Sequence, residues 1–229
     1  MILRCLDFET TGMPNADGGA SICEVGWCDV DLERGSVLAP ESFVVDPERD
    51  IPPEARAVHH LQTPDFEFAS SQKEAFTALE RMAPDYWVAH NAKFEQAFFK
   101  GEAPWICTYK VALRVWPDAP AHTNQVLRYW LNIKLNQDLA MPPHRAGPDA
   151  YVTAHILLKA YESGSASIED MARWSDGPPL LPKVTFGKHR GSRWEDVPLD
   201  YLDWIVNKSD MDNDIKANAK HHMKKARNA

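Results

Sequence analysis

The first twelve residues, MILRCLDFETTG (1–12), decide the fold. The apolar run over residues 2–8 predicts a β-strand that leads straight into two carboxylates, Asp7 and Glu9. Side chains at i and i+2 of a strand share a face. Asp7 and Glu9 therefore stand side by side at the end of an apolar strand, where they repel each other and lose hydration. A divalent cation offsets such a cost well. A D-x-E pair taken alone is more often two exposed carboxylates at a strand end. The surrounding D-F-E-T-T-G weighs against that reading.

Working outward, residues 10–19 form a turn region marked by Gly12, Pro14, Asn15, Gly18 and Gly19. Residues 22–32 carry Val25, Trp27 and Val30 and predict a second strand, and residues 42–45 a shorter third. The short links imply an antiparallel meander. A short helix is predicted over 53–60, and Ala75, Phe76, Leu79 and Met82 give residues 71–82 a helical spacing. Residues 86–90 read as a fourth strand and 106–108 as a fifth. Helices are predicted over 93–100, 124–131 and 149–161. A meander followed by alternating strands and helices implies a layered α/β domain. Trp87, Trp105, Trp116 and Trp130 fit core positions. His59, His60, His122 and His189 read as structural or surface residues.

Two further segments carry candidate chemistry. HNAKFE (90–95) directly follows the fourth strand. HRAGPDA (144–150) places His144 on a loop, Pro148 just before a helix, and Asp149 in that helix's first turn. A solvated loop imidazole suits a general base, because histidine ordinarily titrates near neutrality.

DFETTG, HNAKFE and HRAGPDA, in this order, resemble the three motifs of the DEDDh exonuclease family. The likeness runs over residues 1–175. It includes the P-x-x-A-x-x-V-H-H-L-Q-T stretch around His59 and W-I-C-T at 105–108, and within the family it points to the exonuclease X-like proteins. The resemblance implies a ribonuclease H-like fold: a mixed five-stranded sheet flanked by helices. It implies two divalent cations, Mg²⁺ or Mn²⁺, held by Asp7, Glu9 and Asp149, with His144 as general base. It implies 3′→5′ removal of nucleoside 5′-monophosphates from DNA ends, single- and double-stranded, in repair or recombination. RNA or short oligonucleotides are the alternative substrates within the same chemistry.

One residue departs from the family pattern. The second motif normally ends in aspartate, and this chain has Glu95. Glu95 is expected to serve as the fourth acidic residue of the catalytic and metal-binding set. Its extra methylene moves the carboxylate outward, and a misplacement of ~1 Å can cost on the order of 100-fold in rate. The opposing expectation is a catalytically weakened nucleic-acid-binding protein. The substrate side is expected to include Thr10 and Thr11, whose N–H and hydroxyl groups suit a terminal 3′-OH. Asn91 of the second motif joins them. Met13 is a candidate wedge against the last base, with packing onto the domain surface an equal alternative, and Phe94 is a second apolar candidate. Stacking tolerates any base, so little sequence preference is expected.

Composition bounds the rest. The 229 residues are 44% hydrophobic, enough for a real core, and the four cysteines form no C-x-x-C pair. The opening reaches Arg4 at once, and no apolar stretch approaches a membrane span, so a cytoplasmic protein without a membrane partner is expected. Net charge is −8, unusual for a nucleic-acid partner. Residues 183–229, however, hold ten Lys/Arg against seven Asp/Glu, a local +3. The run SDGPPLLP (175–182) marks a composition shift. The expected organisation is a nuclease domain at 1–175, a linker at 176–182 and a small α+β module at 183–229. In that module Lys188, Arg190 and Arg193 near the FGKHRG turn, and Lys216, Lys220, Lys224, Lys225 and Arg227 on a final helix, are candidate phosphate contacts. A monomer or homodimer is expected.

Overall fold

A computed structural model describes residues 1–14 and 19–227. The predicted turn markers Asn15 and Gly18 lie outside the described residues. The sheet contains β1 (Ile2–Thr10), β2 (Ile22–Asp31), β3 (Ser36–Val37), β4 (Glu41–Val44), β5 (Tyr86–Ala89) and β6 (Trp105–Cys107). Its order is β3-β2-β1-β5-β6, with β4 also paired to β2. β1 runs antiparallel to β2 and parallel to β5, which is parallel to β6. Among the described residues the sheet thus has six strands rather than five. The addition, β3, is two residues long and carries no readable alternation.

Alternation along β1 sorts its side chains between two cores. Leu3 and Cys5 pack in one hydrophobic cluster, Leu6 and Phe8 in another. Asp7 and Glu9 continue the Leu3/Cys5 face by the same period of two. Helix α6 (Ala146–Glu162) lies against β1 and β2 on that face, and Ala150, Ala154, Ile156 and Leu157 fill the cluster. The opposite cluster is closed by α2 (Gln72–Leu79) and the Phe76, Trp87 and Phe99 rings. The remaining helices of this part are α1 (Pro53–His59), α3 (Glu95–Phe98), α4 (Thr108–Val115), α5 (Asn124–Trp130) and α7 (Ile168–Asp176).

Several predicted bounds change. The helix predicted at 93–100 shrinks to the single turn of α3, and the helix at 71–82 stops at Leu79. Met82 takes a left-handed φ of 51° and is exposed, so it is not a core position. Trp130 is 45% exposed, against its predicted core role. Helix α6 begins at Ala146, so Pro148 lies inside its first turn, where a missing N–H costs no intrahelical bond.

Residues 183–227 have their own apolar cluster, centred on the fully buried Trp194 with Val184, Leu202, Ile205, Ala219 and Met223. Helices α8 (Leu199–Asn207) and α9 (Asn213–Arg227) supply most of it. Among the described residues this part has no strand, only an isolated bridge between Lys183 and Arg193. It is helical rather than α+β. The proline-rich stretch before it is pinned: the buried Asn218 accepts from the Leu181 N–H at 2.7 Å and donates to the Pro179 carbonyl at 2.7 Å. Among the described residues, no helix is long and apolar enough to cross a membrane.

Candidate active site

The site forms where the end of β1 meets the start of α6. In the β1–β2 register Asp7 lies opposite Gly26, and Glu9 opposite Glu24. A methyl group at Gly26 would come within 2.3 Å of the Ala146 and Gly147 backbone. Only glycine there lets the first turn of α6 rest on the sheet. The Glu24 carboxylate then docks that turn. It accepts from the Ala146 N–H at 3.0 Å and from Arg145 Nε and Nη2 at 2.9 Å each, a two-pronged pair. Gly26 and Glu24 therefore set the height and entry angle of α6, and with them the position of Asp149.

The result is a compact acidic trio. One carboxylate oxygen from each of Asp7, Glu9 and Asp149 lies within 4.8 Å of the others. Glu95 is buried beside them and its charge reaches Asp7, but it is outside the trio. One of its oxygens, Oε2, is buried without a hydrogen-bond partner. Burial pushes all four carboxyls up. Asp7 rises well above the carboxylate range, through burial and then the charges of Asp149, Glu9, Glu95 and Glu24. Glu9 rises to about 8 from burial and the charges of Asp149 and Glu24, with Arg145 opposing. Glu95 rises to about 8 from burial. Asp149 rises less, because the His144 N–H and the Gln125 amide donate to it.

Such a set is stable only with protons or cations among its oxygens. The donors are all carboxylates, with no thiol or imidazole in the trio, and this suits a hard divalent ion such as Mg²⁺ or Mn²⁺. The buried Glu95 Oε2, which makes no hydrogen bond, is a further oxygen available to a cation.

His144 sits at the rim, exposed, with a left-handed φ of 60°. Its backbone N–H donates to Asp149 Oδ2 at 2.6 Å. The turn that presents the imidazole and the trio's third carboxylate are thereby one hydrogen-bonded unit. Among the predicted substrate groups, Thr10 and Thr11 are largely used within the protein. The Thr10 hydroxyl donates to the Gly12 carbonyl at 2.8 Å. The Thr11 N–H donates to the Ser21 carbonyl, and its hydroxyl accepts from the Ser21 N–H, both at 2.9 Å. The Thr11 N–H is not free for a ligand; its work is to close the loop after β1. Met13 is 61% exposed beside this loop. Phe94 is half-buried against Phe98, with ring centroids 5.4 Å apart. Asn91 is exposed in a left-handed turn, φ 77°, a conformation asparagine tolerates.

His90 of the second motif has a structural place. Its ring lies between Thr108 Oγ1 at 2.9 Å and the His122 carbonyl at 2.8 Å, and burial lowers it to about 4. Sequence reasoning missed Glu24, Gly26, Gln125 and Arg145. Gly26, a lone glycine within a strand, carried a readable signal of close backbone approach. The others carried none, because their roles depend on partners far away in the chain.

Comparison with known proteins agrees with this architecture. An exonuclease family model (RNase_T) matches residues 5–157. Exodeoxyribonuclease 10 of Escherichia coli strain K12 is 32% identical over 237 residues, covering 97% of this chain and 99% of that protein. A solved structure of exonuclease X in complex with 5′-overhanging duplex DNA superposes with a TM-score of 0.66 at 28% identity, covering 76% of this chain and 99% of that one. The nuclease domain of 3′hExo, a DEDDh family member bound to rAMP, shares the fold at a TM-score of 0.56 and 13% identity, over 71% of this chain and 92% of its own.

Proposed function

This chain belongs to the exonuclease family, and on that premise we propose that it is a metal-dependent 3′→5′ exodeoxyribonuclease releasing nucleoside 5′-monophosphates. The observation that carries the reading is the trio Asp7, Glu9 and Asp149, whose oxygens converge within 4.8 Å of one another. These three residues would hold the cations, with Glu95 supplying a further oxygen. When bound, Mg²⁺ or Mn²⁺ would supply neutralising charge for the phosphodiester and a water acidic enough to attack phosphorus. His144, exposed at the rim, accepts the attacking water's proton on its imidazole; the bond from phosphorus to the penultimate nucleotide's 3′-oxygen breaks, and that oxygen takes a proton from solvent to become the new 3′-hydroxyl. The His144 N–H bond to Asp149 keeps that base next to the trio. Glu24 and Arg145 hold the turn between them rigid. Met13 lies against the terminal base, and Thr10 and Thr11 shape the loop that carries it. DNA is the proposed substrate because the relative over nearly the whole chain is an exodeoxyribonuclease, and because exonuclease X was solved with duplex DNA. The basic residues of α9 are proposed to contact the strand, and residues 183–229 to form a separate module.

One observation favours a second reading, a nucleic-acid-binding protein with weakened catalysis. Glu95 stands outside the trio with an unpartnered oxygen. Product analysis separates the two. Matched DNA and RNA strands are incubated with Mg²⁺, Mn²⁺ or EDTA, and the released nucleotides are identified by chromatography. The proposed enzyme releases deoxynucleoside 5′-monophosphates in either metal and none in EDTA. Strand binding without release in either metal favours the second reading.

A further inference from the structure

Arg128 of α5 is 1% exposed, yet no carboxylate pairs with it among the described residues. Its partners are neutral: Gln125 Oε1 at 3.2 Å, Gln137 Oε1 at 2.5 Å, the Ala140 carbonyl at 3.3 Å and Met141 Sδ at 3.8 Å. The Tyr129 ring lies 5.0 Å from the guanidinium. A buried cation without an acidic partner is costly, and such groups normally pair.

Its geometry leads to the acidic site. A guanidinium only donates, so Arg128 fixes the orientation of the Gln125 amide with the oxygen toward the arginine. The amide NH₂ must then face the other way. There Gln125 Nε2 donates to Asp149 Oδ1 at 3.0 Å. With the His144 N–H on Oδ2, each Asp149 oxygen receives one fixed donor. Both remaining lone-pair directions are thereby set. Next on α5, Asn124 donates to the Asp149 carbonyl at 3.2 Å and to Thr153 Oγ1 at 3.0 Å, tying the two helices at this level. The same guanidinium holds residues 137–141, the segment that runs into His144.

We propose that Gln125 and Arg128 form a positioning relay: Arg128 orients the Gln125 amide, which fixes the Asp149 carboxylate for the cation, while Arg128 also anchors the segment that leads to His144. This rests on the nuclease reading of the acidic trio. The relay touches neither substrate nor cation. It acts through Asp149, as the outer hydrogen bonds of metal ligands commonly do, where loss typically costs 10–100-fold in affinity.

The test uses Gln125→Met, which keeps length and removes both the donor and the acceptor, beside Arg128→Met and the double variant. Mn²⁺ affinity is measured by calorimetry on the full chain, with kcat and KM on a DNA strand and the melting temperature of each protein. Gln125→Met is expected to weaken Mn²⁺ binding ~10–100-fold and to lower kcat, with KM within ~2-fold and the melting temperature nearly unchanged. Where Arg128→Met folds, it is expected to act in the same direction, and the double variant to be no worse than the poorer single one, since the two residues act in series. Half-exposed Gln125 carries the test alone if Arg128→Met does not fold. Wild-type Mn²⁺ affinity and kcat in folded Gln125→Met would overturn the relay while leaving the nuclease reading intact. If the wild type itself neither binds Mn²⁺ nor shortens DNA, the nuclease reading fails first and the relay with it.

Discussion

At the scale of single residues, the site is defined by carboxyls that fold into a place where they resist ionising. Glu9 and Glu95 rise from 4.5 to about 8, and Asp7 and Asp149 also rise. The folded protein therefore holds protons that the unfolded chain has already lost between about pH 4.5 and 8. Where the native state binds more protons, stability falls as pH rises. Metal-free protein should lose stability across that window, and a bound dication should recover more of it at the higher pH. The expected result is a larger rise in melting temperature on adding saturating Mn²⁺ at pH 8 than at pH 5.5. A gain independent of pH would contradict the assignment of these carboxyls to the cation. Asp7 and Glu9 were legible as a pair because a strand's period of two puts them on one face. Glu95 was legible as an acid at the right place in a motif. That it stays outside the 4.8 Å trio was not legible, because it depends on where one turn of helix sits against β1.

At the scale of elements, the site is the docking of α6 onto the β1–β2 hairpin. Gly26 permits the approach and Glu24 captures the first turn. Gly26→Ala would force the Ala146–Gly147 backbone away from a 2.3 Å clash, and overpacking of this kind costs about 1–3 kcal/mol. The expected outcome is a lower melting temperature together with a loss of activity well beyond that of a surface Gly→Ala control. Denaturation and nuclease assays on the same preparations check it. Unchanged activity at a lowered melting temperature would mean that α6 height does not set the site. Sequence periodicity found β1, β2, β5 and α6, each with a clear apolar pattern. It missed α4 and α7, which are only eight and nine residues long, and it began α6 three residues late because Pro148 reads as a boundary.

At the scale of the whole molecule, charge is divided against the grain of its substrate. The acidic site lies in a part of the chain with excess negative charge, and the basic surplus lies in residues 183–229. Some of that surplus is spent internally. Arg193 pairs with Asp118 at 2.8 Å, Lys225 with Glu195 at 3.4 Å, and Lys188 lies over the Tyr201 ring at 4.9 Å. Lys220, Lys224 and Arg227 line one groove on α9 with Asp203. If this groove follows the strand, Lys220→Ala/Lys224→Ala should weaken DNA binding and flatten the salt dependence by roughly one log unit per log unit of salt for each phosphate no longer neutralised. Fluorescence anisotropy at several salt concentrations reads both. An unchanged slope would make α9 a solvated cover of the Trp194 core. The composition shift near residue 175 was legible from three prolines and a glycine. The Asn218 clamp on that stretch was not, since it joins positions nearly forty residues apart.

The trio and His144 are proposed to shorten a strand from its 3′ end. The most direct measurement is a time course on one DNA strand labelled at its 5′ end and, separately, at its 3′ end, in Mg²⁺ and in EDTA, beside His144→Ala. Removal from the 3′ end predicts a descending ladder from the 5′ label and immediate mononucleotide from the 3′ label. Both should vanish in EDTA and fall steeply in His144→Ala. Mononucleotide released first from the 5′ label, or shortening that persists in EDTA and in His144→Ala, would contradict it.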